Sequence, residues 1–162
     1  MERKARIGFG LLLCSLALAS GAAWAGINVT VTGSWIETVD ENDLVGGAGS
    51  VLNSTYESPA DQITVRVGGA GQKSWRIDVR KIDSGWPGSV RLFMRRTSDG
   101  RGPGTISGGT SYQEVTDTYQ SFFSGSRNRS DIHVQEQITG VSADMPCGTY
   151  TTTIYYTVVQ TN

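Results

Sequence analysis

Histidine occurs once and cysteine twice in this chain of 162 residues. A lone histidine, His133, leaves no imidazole cluster to hold zinc. Cys14 lies in an apolar N-terminal run read below as a leader. That leaves Cys147 alone in the body, a partly buried thiol beside a turn, an intermolecular bridge or a reactive thiol, and no intramolecular disulfide is expected. Stability then has to come from an apolar core and hydrogen-bond ladders. No apolar run reaches the roughly 20 residues of a membrane helix. No segment repeats apolar residues at helical spacing over about ten residues. Charge of one sign is also lacking, with 14 Lys and Arg against 15 Asp and Glu. Nucleic-acid binding would need a local basic patch, and none stands out along the sequence.

What is present begins at the N-terminus. Arg3, Lys4 and Arg6 precede the apolar run Leu11-Leu12-Leu13-Cys14-Ser15-Leu16-Ala17-Leu18, and small residues close it at Ala23-Trp24-Ala25. A basic start, a short apolar middle and an Ala-x-Ala end predict a secretory signal peptide over residues 1–25. Leu13 stands before Cys14 where lipoprotein processing needs a small residue. The exported protein is expected to begin at Gly26 and to be secreted, passing through the periplasm to the cell surface or medium. Without Arg3, Lys4 and Arg6 the remainder is more acidic than the whole chain.

Residues 26–162 alternate. Ile27, Val29 and Val31 alternate with polar residues, as do Ile63, Val65 and Val67, then Trp75, Ile77 and Val79, then Val90, Leu92 and Met94. Ile132, Val134 and Ile138 share a parity interrupted by Glu136, which suggests a bulge or an edge. Tyr150, Ile154, Tyr156 and Val158 form the last series. Period two with one apolar face predicts half-buried antiparallel strands. Gly46-Gly47-Ala48-Gly49, Gly68-Gly69-Ala70-Gly71, Asp83-Ser84-Gly85, Ser98-Asp99-Gly100 and Gly108-Gly109 supply the turns. With a weaker strand near Tyr112–Thr118, the pattern predicts one all-β domain, an immunoglobulin-like antiparallel β-sandwich of about seven strands. A jelly roll is the other option.

The search for chemistry finds little. His133 has the parity opposite to Ile132 and Val134 and should face solvent. Gly68-Gly69-Ala70-Gly71-Gln72-Lys73-Ser74 has Gln72 where a phosphate loop needs glycine, and a strand follows it. Asp40-Glu41-Asn42-Asp43 offers close-set oxygens for calcium, or a solvated turn, without EF-hand spacing. Sequons at Asn28, Asn53 and Asn128 matter only in a glycosylating host. No nucleophile or acid–base pair stands out, so neither an enzyme nor a cofactor is expected. Trp75 reads as a core anchor, and Phe122-Phe123 as a plug from a loop. Trp86, in Gly85-Trp86-Pro87-Gly88, either stacks on a sugar or a partner, or folds back over the sandwich end.

The segment Gly26-Ile27-Asn28-Val29-Thr30-Val31-Thr32-Gly33 and the terminal strand Thr149–Val159 give the chain a recognisable layout. It resembles the subunits of chaperone–usher pili and of spore-coat-U-like fibres. The resemblance implies a structural subunit of an extracellular pilus. Residues 26–33 would be a donor strand carrying Ile27, Val29, Val31 and Gly33. Tyr150, Ile154, Tyr156 and Val158 would border the acceptor groove. It implies further copies of the chain as partners, with a periplasmic chaperone and an outer-membrane assembly protein in transit. The family's disulfide is missing, with Trp35 and Ile36 near its expected place, and the end Val159-Gln160-Thr161-Asn162 lacks the usual final aromatic. The alternative is a monomeric cell-surface or carbohydrate-binding sandwich with Trp86 as the contact.

Overall fold

The computed structural model describes residues 7–11, 26–46 and 49–161. The expected cleavage signal Ala23-Trp24-Ala25, Cys14 and the turn pair Gly47-Ala48 lie outside them. The described strands run in chain order: β1 (Ile7–Leu11), β2 (Asn28–Thr32), β3 (Ile36–Val39), β4 (Thr55–Glu57), β5 (Ile63–Gly68), β6 (Ser74–Ser84), β7 (Arg91–Arg96), β8 (Ile106–Ser107), β9 (Gln113–Glu114), β10 (Gln120–Ser126), β11 (Arg129–Thr139) and β12 (Thr149–Gln160). One sheet has the order β3-β1-β12-β6-β10-β8. The other has the order β2-β5-β11-β7-β9, with β4 added on β11. Every pairing is antiparallel except that of β1 with β12. The fold is an all-β sandwich of two antiparallel sheets.

Alternation along each strand builds the space between the sheets. Ile63, Val65 and Val67 of β5, Leu92 and Met94 of β7, and Ile132, Val134 and Ile138 of β11 face Trp75, Ile77 and Val79 of β6 and Ile154 of β12, all of them buried. Each such side chain contributes roughly 1.5–3 kcal/mol by leaving water. Trp75 anchors the core as expected. Its indole Nε1 donates to the Arg127 carbonyl at 2.7 Å, and its ring meets Phe123 edge-on at 6.2 Å. Gly125 makes room for it, since a Cβ there would stand 2.7 Å from the indole.

Three local expectations are corrected. Phe122 and Phe123 lie in a strand, β10, and not in a loop. A register shift between Ser121 and Phe123 lets two consecutive phenylalanines both turn inward. Glu136 marks neither an edge nor a bulge. It sits in regular register opposite Met94 of β7, on the core parity, and is fully buried. The irregularity in β11 lies instead between Arg129 and Ile132, where it meets β5. The strand expected over Tyr112–Thr118 shrinks to Gln113–Glu114, after which Val115 is buried and donates to the Leu92 carbonyl at 2.8 Å. The strands number more than seven because β1, β3, β4, β8 and β10 join those expected; β4 and β8 are too short, and β10 too irregular, to show a period.

Candidate functional site

β12 is the longest strand and has an unequal pair of edges. On one side it pairs with β6 from Thr151 through Gln160. On the other, β1 covers only Thr149 to Thr152. Among the described residues, no strand pairs with that outer edge from Thr153 to Gln160. β2 passes nearby in the facing sheet without joining it. The proposed acceptor residues Tyr150, Ile154, Tyr156 and Val158 all lie on this strand. Tyr150 is in register with Phe9 beside β1, and the other three follow along the open stretch. Ile154 is buried, and the rest pack half-buried against the core.

β1 also separates β3 from β12, pairing Ile7–Gly10 with Ile36–Val39. Among the described residues it is the only link from β3 to the rest of its sheet. The residues that fill this slot come from the stretch that reads as a secretory leader. Around the slot, Trp35 Nε1 donates to Glu37 Oε2 at 3.2 Å. Burial raises the Glu37 carboxyl above its ordinary range against the lowering effect of that indole. Burial first, then Asp43 and Glu37, push the Tyr56 phenol up to about 12.

The segment expected to reach for a neighbour pairs at home. Asn28–Thr32 lines up with Thr64–Gly68 of β5, and Ile27, Val29 and Val31 pack against this chain's own core. Among the described residues β2 is the outer strand of its sheet, with β5 as its one partner and an open far side. Gly33 follows with φ +109°, a left-handed turn at the end of the strand. Trp86 folds back over the end of the sandwich. Its Nε1 donates to the Val90 carbonyl at 2.8 Å, and the Lys81 ammonium lies 5.6 Å above its ring. Its indole N–H is therefore satisfied within the body, and the ring is half-buried.

The remaining candidates take structural positions. Asp40 caps the 3-10 turn Glu41–Asp43, its Oδ1 accepting from the Asn42 amide at 2.8 Å, while Asp43 Oδ2 accepts from the Asp40 amide. Among the described residues no group of three metal-ligating side chains gathers. His133 is half-buried on the outer face of β11, beside Ser98, Asp99, Arg101 and Asp131. Cys147 is an exposed free thiol.

No protein-family model, curated protein or solved structure matches this chain. Sequence reasoning missed two features. One is the Glu136 carboxyl, whose oxygens are buried without a partner. Its only signal was a charge on an apolar parity. The other is a cleft where Arg66, Arg101 and Arg129 meet. Nothing in the linear sequence announces it, because the residues come from β5, from the start of β11 and from the connection after β7.

Proposed function

We propose that this chain is a structural subunit of an extracellular fibre, joined to its neighbours by strand addition along β12. The observation that carries the reading is the bare edge of β12 from Thr153 to Gln160, continued by a slot at Thr149–Thr152 that only β1 occupies. A long unpaired strand edge is a template for another chain's backbone, and soluble monomers normally cover or blunt it. If export removes residues 1–25, β1 goes with them, and β3 and β12 are left facing an empty lane. A strand from a second copy would then supply the missing ladder and cover the apolar flank formed by Tyr150, Ile154, Tyr156 and Val158.

The donor in this reading remains the segment carrying Ile27, Val29, Val31 and Gly33. It leaves the open side of its own sheet to enter the next subunit, as in a domain swap. In transit a periplasmic chaperone would shield the lane, and an outer-membrane assembly protein would hand the subunit on. The alternative, a monomeric sugar-binding module built on Trp86, has less support because that indole is turned inward.

The test is the exported product. Mass spectrometry is expected to find Gly26 at its start, and sizing to find polymers that resist mild denaturant. An excess of a synthetic peptide spanning residues 26–33 should cap growth and leave short oligomers. A processed product that stays monomeric at high concentration, with stability indifferent to the peptide, would overturn the reading.

A further inference from the structure

At one end of the sandwich three turns converge. Their contacts are the Ala70 amide donating to Asn128 Oδ1 at 2.8 Å, the Arg127 amide to the Lys73 carbonyl at 2.9 Å, and the Arg101–Ser130 bridge. Between them opens a cleft of about 190 Å³ lined by Arg66, Gly68, Arg101, Asn128, Arg129 and Ser130, among others. Arg66, Arg101 and Arg129 thus line one small space, and no Asp or Glu is among its lining residues. Arg66 and Arg129 take part in none of the ion pairs found among the described residues. Arg101 has only Asp131, at 3.7 Å. The Arg129 Nε is buried without an acceptor. Its one weak contact is Nη1 to the Gly102 carbonyl at 3.5 Å.

We propose that this cleft binds the sulfate or carboxylate groups of an acidic polysaccharide. Guanidinium forks match the paired oxygens of such groups, and a buried donor lacking an acceptor gains most from one. No aromatic side chain lines the cleft, which removes the platform that stacks nucleic-acid bases or neutral sugars. The chain is acidic overall, so attraction is confined to this end, and the ligand is held by a few groups and not along a backbone. The cleft lies in the sheet of β5 and β11, apart from the edge of β12, and does not depend on strand addition.

The experiment measures binding of the full chain to a heparin-type sulfated polysaccharide, to polygalacturonate, and to single-stranded DNA of matched length. Binding to either glycan is expected. Three phosphate-like contacts should make it roughly 20- to 40-fold weaker between 50 and 200 mM salt. Arg66→Gln, Arg101→Gln and Arg129→Gln should each weaken it about tenfold. Arg129→Lys should also fall short, because the fork is lost. Arg91→Gln, at the opposite end and paired with Glu114, should bind like the parent. The two glycans tell sulfate from carboxylate. Should Arg129→Gln fail to fold, the exposed Arg66→Gln decides. The proposal is overturned if neither glycan binds, if Arg91→Gln costs as much as the cleft variants, or if DNA binds as tightly as the better glycan.

Discussion

Glu136 is the residue most at odds with its surroundings. Its main chain is well served. The amide donates to Ser58 Oγ at 2.9 Å, and its carbonyl accepts from the Ser58 amide at 2.9 Å. Its carboxyl oxygens have no partner. Met94 of β7 stands opposite, and Tyr156 of β12 is the titratable group that faces it, with a hydroxyl directed to Met94 Sδ at 4.0 Å. Burial pushes the Glu136 carboxyl up to about 8. It is therefore neutral in the folded protein near pH 7, where an unfolded glutamate is ionised. Below about pH 4.5 both states hold the proton and there is no penalty. From there to about pH 8 only the folded state keeps it, so this group's contribution to stability falls as pH rises and then levels off. The loss is of the order of a few kcal/mol by pH 7.5. Urea unfolding at pH 5 and pH 7.5 should show Glu136→Gln gaining on the parent by about 2–3 kcal/mol over that interval. Parallel pH profiles would mean that the carboxyl is already ionised in the fold.

Elements differed in how far their residues announced them. β5 and the first part of β6 were legible because each buries one face and leaves the other more open, which is the condition that makes period two visible. β10 was not legible, since its register shift places Phe122 and Phe123 on the same side and breaks the alternation. β4, β8 and β9 have three residues or fewer and no period to show. β2 was legible as a strand, but its partner was not, because an alternating segment fits any open edge of matching polarity. Gly33 now gains a local reason. Its φ of +109° is one that side chains avoid, and a Cβ would collide with the Gln62 carbonyl oxygen at the start of β5. Gly33→Ala should therefore loosen β2 from β5 and cost about 1–3 kcal/mol in urea unfolding. A neutral substitution would mean that the end of β2 does not rest on Gln62.

At the scale of the whole molecule, the sequence carried the two-sheet architecture but neither the slot beside β12 nor the arginine cleft. Both arise from where the chain's turns and edges meet, and hydropathy patterns record only which face of a strand is wet. The slot has a consequence that can be measured across the molecule. Among the described residues β3 reaches its sheet only through β1, whereas β12 is held along Thr151–Gln160 by β6. Taking β1 away should therefore affect the two unequally. In hydrogen exchange, the amides of Ile36–Val39 should be protected in the intact chain and exchange rapidly once residues 1–25 are removed. The inward ladder between β12 and β6 should keep its protection, because cooperative units open according to their own contacts. Adding the peptide of residues 26–33 should slow exchange again in Ile36–Val39 and in the outer amides of Thr149–Gln160. If Ile36–Val39 stays protected in the processed protein without peptide or self-association, β3 has closed directly onto β12. No lane is then left for an incoming strand.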